Sequence, residues 1–540
     1  MSEDVFRNEP AADFSLADNR EAMTAALTSV RASLGQTYPL FINGRDESGR
    51  RTVASINPAR PAEVVGYACH ATADDLNAAV AAAGETFSRW RETDPEARAA
   101  YLLRAASALR SRIWQVTALL VFEVGKQWDQ SSHDVTEAID FLEYYAREMM
   151  RLAKPTELPS GPGEPESNQF FYEPRGVAAV IAPWNFPIAI SCGMVSAAIV
   201  SGNCVVYKPS SLSPVAGHIL VDIFREAELP PGVFNYVPCG GADLGDHLVD
   251  HPDVALIAFT GSREVGLRIC ERGAKVQPGQ RHIKKVITEL GGKNAIIVDE
   301  NAGLEAAVPR IIRSAFTFQG QKCSACSRVI VLESVYDELL ERLVSAVRSL
   351  RIGPPESCDN DLGPVVEERA RARIMSYTDS PELSDRVVYR SKLPSPEVAS
   401  GGFYVPATIL GDVTPEDRIA QDELFGPVLA VMRAKDFDHA LDLAASTPYA
   451  LTGGVFSSRR ENLAKAVMRF RVGNLYLNRA ITGAVVGRQP FGGFGLSGGG
   501  TKAGGPDYLP NFMNPRVVTE RHYKPVGKQA AAARQHRTAR

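Results

Sequence analysis

The sequence has no long apolar run. Its longest, Ile188 to Val200, is interrupted by Ser191, Gly193 and Ser196 and is shorter than a bilayer span, which excludes a spanning helix there. The opening Met1-Ser2-Glu3-Asp4 has neither the apolar core of a secretory signal nor the Arg-rich, acid-poor character of an organelle presequence, so the cytoplasm is the expected location. Charge of one sign is lacking too: 59 Lys and Arg against 63 Asp and Glu leave a formal −4, giving no electrostatic case for nucleic acid. Eight cysteines (Cys69, Cys192, Cys204, Cys239, Cys270, Cys323, Cys326, Cys358) show no framework of spacings and read as reduced thiols. Cys323 and Cys326 form a Cys-x-x-Cys, yet no second pair and no His pair stands nearby to complete four zinc ligands, so no metal is expected. A redox use is unsupported as well, because that motif begins a helix in a much smaller fold. Gly-x-Gly-x-x-Gly, the ordinary dinucleotide fingerprint, is absent, and so is any internal repeat.

What is present is a chain of 540 residues with 45% hydrophobic and 23% charged residues, the balance of a globular protein. That length predicts two or three domains. Residues 1–38 mix charge with a weak helical pattern at Ala22, Ala25, Leu27 and Val30, and read as an N-terminal arm packed on a larger body. From Ala73 to Arg112 apolar residues recur at helical spacing around the start signal Asp94-Pro95. Lys154 to Ser167 is rich in Pro, Gly and Ser and reads as a connection. Short β-branched runs then alternate with helical stretches: Val177–Ala182, Cys204–Tyr207, Phe234–Val237 and Ala255–Phe259. A second series is expected to begin at Val286-Ile287 and to include Ala295–Val298 and Val329–Val331, with a domain boundary just before Glu289. Strands buried on both faces and separated by helices predict parallel, doubly wound sheets, which bind ligands beyond the carboxyl ends of their strands. The basic, apolar-poor stretch after Lys524 reads as a disordered tail.

Three segments carry chemistry. Phe318-Gln319-Gly320-Gln321-Lys322-Cys323-Ser324-Ala325-Cys326-Ser327 frames one thiol with small and polar residues, and a thiol can attack a carbonyl carbon. Thr288-Glu289-Leu290-Gly291-Gly292-Lys293 offers a carboxylate that can activate water. Ala182-Pro183-Trp184-Asn185-Phe186-Pro187 supplies a side-chain amide able to hold an oxyanion. Together they suit oxidation of an aldehyde through a thioester. Thr260-Gly261-Ser262 follows a strand and opens a helix, where Gly261 admits a phosphate and Ser262 can cap and donate. Each group also has a plainer explanation: a strand-end acid for Glu289, an ordinary turn for Asn185 and for Gly261, a surface lysine for Lys208.

The three segments resemble the aldehyde dehydrogenase superfamily from about Phe41 to the neighbourhood of Glu520, in the family's order. Asn478–Gly487, Arg488-Gln489-Pro490-Phe491-Gly492-Gly493, Lys502–Pro506 and the Cys-Ser-Ala-Cys-Ser-Arg after Lys322 resemble the branch that oxidises L-glutamate γ-semialdehyde, as do Asn8-Glu9-Pro10 and Tyr38-Pro39-Leu40.

The resemblance implies an α/β fold with a Rossmann-like cofactor domain (39–164 and 178–288), a catalytic α/β domain (289–506) and an oligomerisation β-ribbon (165–177 and 507–523), leaving 524–540 as the tail. It implies Cys323 as nucleophile, Glu289 as general base and Asn185 as oxyanion donor, beside the Cys323 N–H. The cofactor is implied to be NAD, held by Ile181, Pro183, Trp184, Lys208, Ser210, Ser211, Gly241, Gly261, Ser262, Gly266, Leu290, Glu423 and Phe425. The family often has an acid where this chain has Ser211, so NADP is left open as well. Ser324, Gly483 and Ala484 match the anchors of the substrate α-carboxylate. Glu137 matches the partner of its ammonium, with an exposed helical acid as the alternative, and Phe186 and Phe491 flank the stem. A homodimer or an assembly of dimers is implied, with a separate proline dehydrogenase supplying the substrate. Two alternatives remain: an enzyme for another short aldehyde, or a non-catalytic scaffold of the same fold.

Overall fold

The computed structural model describes residues 5–162, 165–396 and 401–522; the expected tail at 524–540 lies outside the described residues. Short, mainly apolar runs become strands buried on both faces, as in Val177–Ile181 and Cys204–Lys208. They sit in a seven-stranded sheet ordered Lys285–Glu289, Val254–Thr260, Val177–Ile181, Cys204–Lys208, Phe234–Tyr236, Leu40–Ile42, Arg45–Glu47. The first five are parallel and the last two close an antiparallel edge. The chain first lays down the antiparallel edge, enters the parallel part at Val177–Ile181, runs outward to Phe234–Tyr236, then crosses back to lay Val254–Thr260 on the other side. Sheets of this kind hold a ligand crevice at such a switch point. Loops 182–187, 209–213 and 261–262 all leave the carboxyl ends of this sheet's strands.

Val286-Ile287, expected to begin the second series, instead belongs to this first sheet. Its strand pairs in parallel with Val254–Thr260, Ile257 opposite Val286. After four intervening residues Asn294–Val298 enters the second sheet, ordered Val387–Arg390, Thr408–Leu410, Val428–Ala434, Cys326–Leu332, Asn294–Val298, Thr452–Phe456, Asn474–Leu477. Only its Val387–Arg390 edge is antiparallel. Glu289 therefore ends the last strand of one sheet, while Cys323 lies just before a strand of the other. The seam between the sheets brings them near each other.

Met513–Arg521 pairs antiparallel with Glu166–Pro174 to make a projecting ribbon. Thr156–Leu158 adds a third strand, so the expected connection is partly ribbon, and Val177 belongs to the first sheet rather than to the ribbon. Val517 and Val518 are exposed on it. In the N-terminal arm the helix Ala17–Ala32 buries Met23, Leu27 and Val30, whereas Ala25 faces solvent. Asn8 donates to Asp140 Oδ2 at 2.8 Å and ties the arm to the helix Trp128–Leu152. Helices Ala73–Trp90 and Pro95–Arg110 are separated at Asp94, whose carboxylate accepts the Glu96 N–H. Among the described residues no helix is long and apolar enough to cross a membrane.

Candidate active site

The segment leading to Cys323 is bent into a conformation that side chains disfavour. Phe318 and Gln319 have φ of 53° and 55°, followed by Gly320 at 69°. Two non-glycine residues held left-handed cost roughly 1–2 kcal/mol each, and such strain persists only where neighbours impose it. Gln319 Nε2 donates to Pro364 O at 2.7 Å and to Gly125 O at 3.2 Å. A Cβ on Gly320 would collide with the Gly426 carbonyl. Asn294 Nδ2 donates to Cys323 O at 2.7 Å and to Ala325 O at 2.8 Å, and Lys322 Nζ donates to Gln130 Oε1 and Thr317 Oγ1. The loop that carries Cys323 is clamped from both sheets' sides of the seam.

Cys323 is half-buried, and its thiol is pushed up to about 12 by burial and by the Glu423 and Glu289 carboxylates, against support from the Ser324 N–H. Asn185 is buried and donates Nδ2–H to Gln321 O at 3.1 Å, which sets its amide against the loop of Cys323. One amide proton is engaged there, leaving the second for an oxyanion. Glu289 is 8% exposed; Oε1 accepts from Thr501 Oγ1 at 3.2 Å, while Oε2 has no partner among the described residues. Burial holds this carboxyl well above the ordinary range. A Cβ on Gly492 would stand 2.6 Å from Oε1, so glycine lets the 491–501 loop close over the acid.

The cofactor candidates gather along the crevice. Ile181 and Lys208 end adjacent strands. Lys208 is buried, with Nζ donating to Pro209 O at 3.2 Å; Ser210 Oγ accepts the Leu212 N–H, and Ser211 is exposed. Ser262 caps Arg263–Gly273 by accepting the Val265 N–H, Gly261 N donates to Glu289 O at 3.1 Å, and Gly266 packs so closely on Leu290 that no Cβ fits. Glu423 Oε1 accepts the Gly292 N–H at 2.9 Å, and Gly291 leaves no room for a Cβ beside its carboxylate. Trp184 meets Phe425 edge-on at 5.6 Å. Gly241, first residue of the helix Gly241–Asp250, is exposed on the outer rim.

Among the substrate candidates, Glu137 is half-buried on Trp128–Leu152, its carboxyl pushed up to about 8 by burial and then by Asp134. Ser324 is buried and Thr452 Oγ1 donates to its carbonyl at 3.3 Å. Phe491 is half-buried and pairs with Ala503 through backbone bonds, Gly483 turns with φ of 76°, and Ala484 is half-buried beside it. Three groups were not expected from the sequence: Thr501 on the general-base candidate, Asn294 under Cys323, and a fully buried Lys126–Asp134 pair at 2.6 Å. Asn294 adjoined the motif ending Gly292-Lys293 and Thr501 adjoined Lys502–Pro506, whereas Lys126 and Asp134 adjoined none.

Two linked α/β sheets with a thiol, an amide and a buried carboxyl at their seam define a site built for chemistry through a thioester. The chain belongs to the aldehyde dehydrogenase family, whose sequence profile matches residues 45–518. It is 48% identical over 515 residues to a 1-pyrroline-5-carboxylate dehydrogenase of Geobacillus sp. (strain WCH70), covering 95% of this chain and 99% of that protein. The 1-pyrroline-5-carboxylate dehydrogenase from Thermus with bound NAD superposes with a TM-score of 0.93 at 44% identity, over 97% of this chain and 100% of that one. Proline utilization A from Bdellovibrio bacteriovorus superposes at 0.94 with 44% identity over 97% of this chain, which spans only 54% of that longer protein.

Proposed function

We propose that the chain oxidises L-glutamate γ-semialdehyde, the open form of 1-pyrroline-5-carboxylate, to L-glutamate through a thioester on Cys323, the second step of proline degradation. The observation that carries this is the meeting of Cys323, Asn185 and Glu289 at the seam. The 48% identity over 95% of the chain to a 1-pyrroline-5-carboxylate dehydrogenase supports the choice of aldehyde. Cys323, its thiol proton passed to water, bonds through Sγ as the thiolate to the aldehyde carbon, while Asn185 Nδ2 and the Cys323 N–H hold the resulting oxyanion. When bound, NAD supplies the hydride acceptor that makes the adduct a thioester. Glu289, once ionised, takes a proton from water as its oxygen adds to the thioester carbon; collapse releases glutamate and the Cys323 thiolate.

The crevice fits a dinucleotide. Ser262 presents a capped helix N-terminus to a pyrophosphate, and Lys208 and Glu423 would supply a donor and an acceptor for the ribose hydroxyls. A cofactor-reduction assay across an aldehyde panel tests the assignment: glutamate semialdehyde is expected to be turned over with the highest kcat/KM, and a better simple aldehyde would favour the alternative enzyme. The exposed ribbon edge supports a homodimer or an assembly of dimers. We place the protein in the cytoplasm, with a proline dehydrogenase activity providing its substrate.

Ser324→Ala is expected to raise KM for glutamate semialdehyde about tenfold, the scale of one hydrogen bond to a charged group, with little change for propanal, which has no carboxylate. Bulky replacement of Gly483 should act in the same direction. Equal losses on both aldehydes would remove Ser324 from the carboxylate anchor.

Cofactor choice follows from Ser211. No carboxylate stands there to repel a 2′-phosphate, so NAD is favoured and NADP is measurably used. Ser211→Glu is expected to lower kcat/KM for NADP at least tenfold, about 1.4 kcal/mol of added discrimination, with NAD little affected. An unchanged ratio would mean that Ser211 does not face the adenosine ribose.

A further inference from the structure

Lys126 belongs to none of the roles described above, yet it sits behind the reacting groups. The helix Ile113–Val124 ends at Gly125, whose φ is 69° and whose Cβ would meet Pro58 and Pro364 at 3.1 and 3.2 Å. That tight left-handed turn directs Lys126 inward. Its ammonium is fully buried and bonds Asp134 Oδ2 at 2.6 Å, with Asp134 fully buried too. A buried ion pair is costly to desolvate, and apolar side chains of similar volume would hold the fold as well. A role other than stability is called for.

Its neighbours point to one. Lys126 Nζ lies 3.8 Å from the centre of the Phe186 ring and 5.0 Å from that of Phe318, and the two rings meet edge-on at 6.5 Å. Phe186 follows Asn185 directly. Phe318 is the first of the left-handed residues leading to Cys323. Asp134 Oδ1 accepts the Ala189 N–H at 2.7 Å, gripping the start of the helix Ala189–Val200 just beyond Phe186. Gly125 O accepts from Gln319 at 3.2 Å, gripping the strained turn beside Phe318. One short elbow and its counter-ion therefore touch both segments, the one with the amide and the one with the thiol. A cation between two desolvated ring faces is attracted to both, whereas an apolar side chain would only fill the space.

We propose that Lys126 is a positioning residue: clamped by Asp134 and seated between Phe186 and Phe318, it sets the Asn185 amide against the Cys323 loop. This rests on the roles proposed for Asn185 and Cys323 and not on which aldehyde is oxidised. Misplacing a donor by about 1 Å costs on the order of 10²-fold in rate, comparable with the roughly 10²–10³ lost when an oxyanion donor is removed.

Lys126→Met combined with Asp134→Asn removes both charges without leaving either one buried alone. The test measures NAD affinity and single-turnover hydride transfer, with glutamate semialdehyde and with propanal, in wild-type and Asn185→Ala backgrounds. The expected result is an NAD Kd within about twofold of wild type and hydride transfer at least ~30-fold slower with both aldehydes. In the Asn185→Ala background, a further loss below about threefold is expected, because residues acting as a unit are not additive. Equal fold-losses in both backgrounds, an unchanged rate, or a loss confined to one aldehyde would overturn the proposal. If Asn185→Ala alone left the rate unchanged, the oxyanion role itself would fall, a separate failure. Should the paired variant not fold, Lys126→Arg keeps the charge while its larger planar head cannot occupy the same seat. Hydride transfer about tenfold slower at unchanged NAD affinity is then expected, and a wild-type rate would overturn the role.

Discussion

Cys323→Ser is expected to abolish dehydrogenase turnover while leaving cofactor affinity nearly intact. A serine hydroxyl, with no base bonded to it, is a far poorer nucleophile than a thiolate, and its ester would form too slowly to support turnover. The same loop holds a built-in control three residues on. Cys326 is buried, and its Sγ donates to Arg328 O at 3.3 Å, away from solvent and substrate. Cys326→Ser should therefore cost little activity. Steady-state rates and NAD titrations on both variants decide the assignment; if the second substitution is the lethal one, the nucleophile is misassigned.

Glu289→Gln should separate the two halves of the reaction. Glutamine keeps an acceptor for Thr501 but cannot take a proton from water, so hydride transfer proceeds once per site and thioester hydrolysis stalls. Rapid mixing should reveal a burst of reduced cofactor followed by a slow steady state. The wild-type enzyme carries a related pH signature. Because burial raises the Glu289 carboxyl well above its usual value, the acid is neutral at low pH and gains its function only as pH rises through that displaced value. Hydrolysis of the thioester should accelerate with pH accordingly, and the Gln variant should lose that limb. Full steady-state activity in Glu289→Gln would exclude the general-base role.

Much of the fold was legible because strands buried on both faces write themselves as nearly continuous apolar runs. Val177–Ile181 and the Ala295–Val298 part of Asn294–Val298 are such runs, and both strands lie inside their sheets. The pattern does not say which sheet a strand joins. Val286-Ile287 looks no different from Ala295–Val298, and only the pairing of Ile257 with Val286 assigns it to the first sheet. Thr156–Leu158 escaped notice because it is short and exposed, with no apolar alternation. The thiol, the acid and the amide were recognisable from their local motifs. Thr501 was not, since it meets Glu289 from 212 residues away. The left-handed Phe318 and Gln319 were also hidden: Asn or Gly announces such a turn, whereas here distant carbonyls at Gly125 and Pro364 impose it. Lys126 and Asp134 look like surface charges in a row of polar residues, and only the turn at Gly125 carries the lysine into the core.

The most direct test of the proposed chemistry is to mix Glu289→Gln enzyme with NAD and glutamate semialdehyde, quench with acid within the burst, and map the peptides by mass. A glutamyl adduct on the peptide spanning Cys323, at the cysteine itself, is the expected result, absent when NAD is omitted. No acyl adduct during a full burst, or an adduct on Cys326 in place of Cys323, would contradict thioester catalysis at this site.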